Sequence, residues 1–246
     1  MNAAADVADE TLAPIAGGAM LYDGSRLGHA DAAVFDPGHW RARNALESAR
    51  GGRGTVAFVR APGGERWVLR HYRRGGLVAK LADDTYLYTG AERTRAFREW
   101  RLLAQLRRWG LPVPAPVAAR YVRSGLFYRA DLVTVELPVR RTVTVALTEG
   151  PLPATSWVAI GRCIGRLHAH GVQHADLNAH NLLLDDGGGT VYVLDFDRGR
   201  VRARGTWEQQ VLARLDRSLR KVTSDLPGDR YGPEQWRALL AGVEEP

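Results

Sequence analysis

The sequence predicts an α+β protein with two lobes, a small antiparallel-sheet N-lobe followed by a mainly helical C-lobe. Short apolar stretches separated by glycine turns, typical of antiparallel strands, fill much of the first half of the chain. Longer stretches with apolar residues at three- and four-residue steps, typical of helices, dominate the second half. We therefore expect residues 1–30 to be a partly disordered leader, 31–137 to be the N-lobe and 138–246 to be the C-lobe.

The composition limits the partners and the compartment. The chain has 246 residues and a net charge of +7, which favours anionic partners. Its single cysteine, Cys163, excludes an intrachain disulfide, and the apolar helical surroundings predict a buried thiol. The sequence contains neither a long apolar run nor the basic start of a secretory signal peptide. We expect a cytoplasmic protein, soluble or peripheral at a membrane surface.

The first strands surround a glycine turn. Residues 14–49 predict loops with one helix near 37–48, and strands are expected up to Val59 and over 66–72. Between residues 50 and 59 the glycines Gly52 and Gly54, with Ala57 in third place, match G-x-G-x-x-G in part. Glycines at a hairpin mouth let backbone N–H groups approach phosphates, although a plain hairpin is the alternative interpretation.

Two charged residues of the N-lobe are candidates for the same phosphate site. Arg70 lies within the second strand, and its guanidinium can contact two phosphate oxygens. Lys80 is the alternative contact, and a solvated strand face is the plainer role for Arg70. The helix predicted over 91–109 carries Glu99 on its inner side, where it can pair with Arg70, and Glu92 is the alternative partner.

After these elements, the sequence predicts a hinge between the lobes and then the first helix of the C-lobe. Strands are predicted over 113–121 and 132–137, so that Glu136 lies in a hinge whose backbone groups can bind adenine. The helix over 157–169 has Thr155 or Ser156 as its N-cap and ends at Gly171. Further helices are predicted over 207–222 and 233–243.

The segment that begins at His174 contains the candidate catalytic residues. It reads H-x-D-L-x-x-x-N, with Asp176 and Asn181 as the polar positions, and an apolar strand then ends in Asp195. A hairpin of residues 182–184 and 191–194 brings Asp195 back towards Asn181. This layout is that of a kinase catalytic loop and its metal-binding strand end, and it predicts a protein-kinase-like fold. The alternative is that each of these side chains only caps a turn.

In this layout each polar residue has a role. Asp176 accepts or orients the proton of the attacking hydroxyl, and Asn181 with Asp195 holds Mg²⁺ against the phosphates of ATP. Arg70, oriented by Glu99, steadies the phosphates, and the glycine turn covers them. His174 is expected to be a hydrogen-bonding scaffold, whereas the role of Asp197 is left open.

Departures from the protein-kinase pattern narrow the acceptor. Ala175 replaces the arginine that reads a phosphorylated activation loop, and Asp197 replaces the glycine of D-F-G. The A-P-E segment that holds a peptide is missing from the remaining fifty or so residues. A small acceptor, or the head of a lipid, is therefore expected.

A basic run follows Asp195. Its members are Arg198, Arg200, Arg202, Arg204, Arg214, Arg217, Arg220 and Lys221. The run predicts either a solvated face or the binding of an anionic acceptor or membrane surface.

Five segments resemble bacterial 3-deoxy-D-manno-octulosonic acid (Kdo) kinases, relatives of the lipopolysaccharide core heptose kinases. The segments are RHYRRGGLVAKL (70–81), AFREWRLLAQL (96–106), GLPVPAPVAAR (110–120), HADLNAHNLLLD (174–185) and LDFDRGR (194–200). The resemblance implies ATP-dependent phosphorylation of the 4-hydroxyl of Kdo on a lipid A precursor, in inner-core synthesis at the cytoplasmic face of the inner membrane. It makes Asp176 the catalytic aspartate and is compatible with arginine at position 70.

The sequence is also compatible with other functions. A heptose kinase or another small-molecule kinase would use the same catalytic residues. A non-catalytic nucleotide-binding scaffold is favoured only by Arg70 and Ala57, and the intact Asp176, Asn181 and Asp195 argue against it. No nucleic-acid partner is expected, because only the net charge suggests one. The oligomeric state is not predicted.

Overall fold

The computed structural model describes residues 8–50, 56–73 and 84–245. The chain forms two compact units. The first comprises Met1–Trp109 and Pro114–Glu136, and the second Gly110–Val113 and Leu137–Pro246. Among the described residues, no helix has both the length and the apolar character needed to cross a membrane.

The first unit is built on an eight-stranded sheet in which every described pairing is antiparallel. The strands are β1 (Glu10–Ile15), β2 (Gly18–Asp23), β3 (Leu46–Arg50), β4 (Val56–Arg60), β5 (Arg66–His71), β6 (Tyr86–Leu87), β7 (Pro116–Ser124) and β8 (Phe127–Val135). Their order is β1-β2-β7-β8-β5-β4-β3, and β6 also pairs with β8.

The beginning of the chain differs from the prediction. Strands β1 and β2 lie inside the predicted leader and pair with the sheet through β7, with Gly18 opposite Val122. Residues 14–49, predicted as loops with one helix, hold β2, most of β3 and the short helices α1 (Gly24–Leu27) and α2 (Pro37–Ala42). The strands were missed because β2 is only six residues long and gains its burial from partners distant in the sequence.

The two faces of the sheet are covered by different elements. Helix α3 (Arg95–Arg108) packs on β7 and β8 and buries Phe97 and Trp100. The core that includes α2 contains Trp40 from that helix and Trp67 from β5. Because side chains alternate along β5, Trp67 and Leu69 face this core while Arg70 points towards α3.

The second unit is mainly helical. Its helices are α4 (Val143–Glu149), α5 (Ala154–Ala169), α6 (Trp207–Thr223) and α7 (Pro233–Glu244). Its strands are β9 (Val172–Gln173), β10 (Leu182–Leu184), β11 (Val191–Val193) and β12 (Arg200–Val201). The predicted hairpin is present as β10 and β11, which pair antiparallel.

Helix α5 begins earlier than predicted and ends where expected. Its N-cap is Pro153, not Thr155 or Ser156, because the extended backbone of Pro153 leads directly into a helix that starts at Ala154. Beyond its C-terminus Gly171 has φ +68°, and an added Cβ there would lie 2.3 Å from the Arg202 carbonyl oxygen. Only glycine fits that stop without strain.

Candidate active site

The loop between β9 and β10 is organised by a buried histidine. His174 is 2% exposed, its Nε2–H donates to the Leu194 carbonyl oxygen at 2.8 Å, and its ring contacts that of Phe196 with centroids 4.8 Å apart. Burial lowers the pKa of His174, so the neutral ring is favoured despite the neighbouring carboxylates. His174 therefore ties the catalytic loop to the end of β11, which is the scaffold role predicted from the sequence.

Amide side chains hold the loop around Asp176. The Nδ2 groups of Asn181 and Asn178 donate to the Asp176 carbonyl oxygen, at 3.1 and 2.8 Å. Asn178 Oδ1 also accepts from the His180 N–H at 2.9 Å, so Asn178 is used within the loop. The Asn181 amide is fixed by its nitrogen, which leaves its Oδ1 as the atom of that amide suited to a cation.

Asp195 follows β11 in a left-handed backbone conformation. Asp195 has a φ of +63° and is exposed to solvent. The preceding N–H, of Leu194, donates to the Asn181 carbonyl oxygen at 2.8 Å, so the structure brings the strand end and Asn181 together. Aspartate and asparagine tolerate this conformation better than most residues.

The donor set fits a nucleotide-bound Mg²⁺. Within the described ranges, no cluster of three or more His, Cys, Asp or Glu side chains could by itself cage a metal ion. Mg²⁺ in phosphate-transfer sites takes one or two protein carboxylates and completes its shell with phosphates and water. One carboxylate from Asp195 and one amide oxygen from Asn181 are a sufficient protein share.

The Asp176 carboxylate forms an ion pair that the sequence did not predict. Its Oδ1 contacts a terminal nitrogen of Arg214, 38 residues further on, in α6. In the sequence, Arg214 is distinguished only as one member of the basic run. The available signal was its position one residue before the buried Leu215, which places it beside the packed face of α6.

A second set of predicted residues meets in the first unit. Arg70 forms an ion pair with Glu99, which is 2% exposed, and the Tyr72 hydroxyl donates to Glu99 Oε2 at 2.5 Å. Glu92, the alternative partner, instead pairs with Arg101 at the surface. The structure thus places Glu99, and not Glu92, against Arg70.

Of the other candidates in the first unit, the structure describes Glu136. Gly52, Gly54 and Lys80 lie outside the described residues. Glu136 is the last residue of the first unit, and within that unit its carboxylate pairs with Arg66 at 3.0 Å and its N–H donates to the Arg66 carbonyl oxygen at 2.7 Å. The adenine contact expected of its backbone stays a prediction.

Much of the basic run is engaged within the second unit. Arg200 and Arg202 both donate to Gln173 Oε1, at 2.9 and 3.2 Å. Further along the run, Arg204 pairs with Glu208 at 2.9 Å and Arg220 with Asp216 at 3.0 Å. Part of the basic run, predicted as a solvated or anion-binding face, therefore contacts side chains of the second unit itself.

Comparison with known proteins identifies close relatives. The family model described as "Lipopolysaccharide kinase (Kdo/WaaP) family" matches residues 39–242. The protein named 3-deoxy-D-manno-octulosonic acid kinase from Stenotrophomonas maltophilia (strain R551-3) is 47% identical over 210 residues. The match covers 85% of this chain and 82% of that protein.

Two solved structures share the fold at low sequence identity. The structure of WaaP in complex with acyl carrier protein has a TM-score of 0.57 at 17% identity, covering 90% of this chain and 85% of that chain. The amicoumacin kinase hAmiN in complex with AMP-PNP, Ca²⁺ and Ami has a TM-score of 0.60 at 13% identity, covering 82% and 72%. These likenesses confirm the predicted kinase-like α+β fold. From the extent of the family match and the identity to its relative, the chain belongs to the lipopolysaccharide kinase (Kdo/WaaP) family.

Proposed function

We propose that this chain is an ATP-dependent kinase that phosphorylates the 4-hydroxyl of a Kdo residue on a lipid A precursor, in synthesis of the lipopolysaccharide inner core. The observation that carries the proposal is the catalytic loop, in which Asp176 and Asn181 are joined by a hydrogen bond and Asn181 is joined to the strand before Asp195. The relative named 3-deoxy-D-manno-octulosonic acid kinase supports the acceptor class.

The residues act by placement and charge. Asp176 accepts the proton of the acceptor hydroxyl. The hydroxyl oxygen forms a bond to the terminal phosphorus of ATP as the bond between that phosphorus and the ADP oxygen breaks. Asn181 and Asp195 would hold Mg²⁺, which would neutralise charge on the phosphates. Arg70, oriented by Glu99, steadies the phosphates, Gly52 and Gly54 cover them, and the Glu136 backbone contacts adenine.

A peripheral position at the inner-membrane surface is part of the proposal. In the first unit, Leu87, Leu126 and Phe127 are 58%, 72% and 46% exposed at the turn between β7 and β8 and on the neighbouring β6. We call these three residues the apolar tip. Arginines Arg123 and Arg129 flank it in sequence and are exposed. Exposed apolar side chains beside cations are the chemistry that binds an anionic lipid surface.

Replacement of the catalytic carboxylate tests the proposal directly. Asp176→Ala is expected to lower turnover by about 10²- to 10⁴-fold, because general-base catalysis is lost, while ATP still binds. The measurement is transfer of labelled phosphate from ATP with Mg²⁺ to a Kdo-bearing lipid A precursor, with ATP binding followed separately. Asp186→Ala, which removes an exposed carboxylate in the turn of the β10–β11 hairpin, is the control. Turnover of Asp176→Ala at the control's rate would remove Asp176 from the mechanism.

The acceptor assignment needs a second substrate. Transfer to the Kdo-bearing precursor, with none to a heptosylated core acceptor, is the expected result. Transfer to the heptose acceptor alone would keep the catalytic roles and change the substrate. Binding of ATP without transfer to either acceptor would favour a non-catalytic scaffold.

A further inference from the structure

Asp176 has a cationic neighbour, Arg214, that none of the roles above uses. The side chains of the pair are 41% and 48% exposed. An ion pair this open to solvent contributes little to folding stability, because water screens the charges and two side chains must be ordered. Stability therefore does not explain why a guanidinium lies against the proposed catalytic carboxylate.

Arg214 is delivered to this place by a well-anchored helix. Helix α6 buries Val211, Leu215 and Leu219, which repeat at four-residue steps. One turn beyond Arg214, the Ser218 hydroxyl accepts a hydrogen bond from the Ala179 N–H of the catalytic loop at 3.2 Å. Because residues four apart share a helix face, Arg214 and Ser218 together hold one side of α6 against the loop.

The other contacts in the basic run distinguish Arg214 from its neighbours. Arg200 and Arg202 donate to Gln173, which precedes His174, while Arg204 and Arg220 pair with carboxylates of α6 itself. Among the hydrogen bonds and ion pairs observed in the described chain, Arg214 is the member of the run that contacts Asp176.

The charge of Asp176 creates a problem for an acidic acceptor. The acceptor hydroxyl must come within hydrogen-bond reach of Asp176, which brings any acid group on the same sugar close to a like charge. A guanidinium beside Asp176 offsets that repulsion. It also has several N–H donors in a planar fork, so it can contact Asp176 and a second carboxylate.

We propose that Arg214 forms a carboxylate-binding subsite for the acid group of the acceptor sugar, beside the hydroxyl that receives the phosphate. The inference rests on the proposed function, whose acceptor is a sugar acid. Before the acceptor binds, the guanidinium pairs with Asp176 alone, and in the complex it contacts both carboxylates. Arg214 thereby selects acidic sugars over neutral ones.

The test combines two changes, one in the enzyme and one in the acceptor. Wild type, Arg214→Gln and Arg214→Lys are assayed with the Kdo-bearing lipid A precursor and with the same precursor whose Kdo carboxyl is a primary amide. Arg237→Gln, which removes an exposed arginine from α7, is the charge-matched control. Binding of ATP to each variant reports that its nucleotide site is folded.

For the acid acceptor, Arg214→Gln is expected to raise KM by about 10- to 100-fold, the usual size of a lost charge-assisted hydrogen bond, with KM for ATP unchanged. For the amide acceptor, Arg214→Gln and wild type should have similar KM values. Arg214→Lys should recover part of the loss, since it keeps the charge without the fork.

Two results would overturn the subsite. An equal fall in kcat with both acceptors would make Arg214 only a positioning residue for Asp176, and unchanged kinetics with both would give it no role in the reaction. Failure of the wild type on both acceptors is a different outcome, because it removes the proposed function itself and the inference with it.

Discussion

At the scale of single residues, the most informative contact is the pair formed by Arg70 and Glu99. The sequence predicted it from a strand and a helix that lie far apart in the chain, and left Glu92 as the alternative. The structure separates the two glutamates by burial, since Glu99 is 2% exposed and the Glu92 side chain is 61% exposed. A buried carboxylate needs partners, which Arg70 and Tyr72 supply.

Glu99→Gln should weaken both the fold and nucleotide binding. The substitution keeps the shape but removes the charge that satisfies Arg70 and the Tyr72 hydroxyl, so we expect a loss of about 2 kcal/mol in the free energy of unfolding. KM for ATP should rise, because Arg70 is no longer held. Urea unfolding and ATP titration are the measurements. Glu92→Gln is the matched control and should cost less than about 1 kcal/mol. Equal losses in the two variants would contradict the assignment of Glu99.

His71 should make stability depend on pH. A hydrogen bond to Asp131 raises the pKa of His71, partly offset by burial and aided by Asp84. The same carboxylates also contact Arg120 and Arg129. Because the folded pKa lies above the ordinary value of about 6.5, the stabilisation is complete below that pH and is lost as the pH rises through the folded pKa.

The measurement is the free energy of unfolding of wild type and His71→Gln from pH 5 to 9. The difference between them should be larger at the acidic end. Taking the difference removes most of the contribution of His174 and His168, whose lowered pKa values act in the opposite direction. A difference that does not vary with pH would show that His71 is not protonated through these contacts.

At the scale of elements, the contact between α5 and α7 depends on two glycines. An added Cβ on Gly161 of α5 would lie 2.0 Å from the Leu239 carbonyl oxygen of α7, and one on Gly242 would lie 2.2 Å from that of Val158. The sequence gives no sign of this contact, because an isolated glycine in a helical pattern indicates only weaker helix propensity.

The change in the free energy of unfolding caused by Gly161→Ala has opposite signs for helix packing and for helix propensity. Helix propensity alone predicts a gain of about 1 kcal/mol, whereas forcing the two backbones apart predicts a loss of about 3 kcal/mol. We expect the loss to dominate in chemical denaturation. Gly187→Ala, where a Cβ would meet nothing within 4 Å, is the control and should change stability little. A more stable Gly161→Ala variant would show that α5 and α7 can move apart at little cost.

At the scale of the whole molecule, sequence reasoning succeeded where local signals were strong. The β10–β11 hairpin and the helices α3, α6 and α7 follow from periodicity and turn residues, and the kinase-like fold follows from the motif that begins at His174. The early strands β1 and β2 did not, because they join the sheet through β7, a strand that is adjacent in space but distant in the sequence. For the same reason the contact of Arg214 with Asp176 was not predicted, since no spacing rule joins residues on a catalytic loop and a later helix.

The apolar tip gives a prediction about the whole molecule. The double variant Leu126→Glu with Phe127→Glu should reduce partition onto vesicles that contain phosphatidylglycerol by about tenfold or more, because apolar area is lost and like charge is added. Flotation of the protein with vesicles is the measurement. Leu12→Glu, at a 55% exposed leucine of β1, is the control. Partition equal to that of wild type would place the membrane contact elsewhere.

The backbone at Asp195 restricts which amino acids this position can hold. Its φ of +63° is unfavourable for β-branched side chains and mildly so for alanine, while asparagine fits at least as well as aspartate. The backbone conformation favours asparagine and aspartate, whereas the proposed metal contact requires a carboxylate. Aspartate meets both requirements. A family of enzymes built on this turn would be expected to vary slowly here even where the acceptor changes, because the local geometry removes most of the mutational steps that chemistry alone would allow.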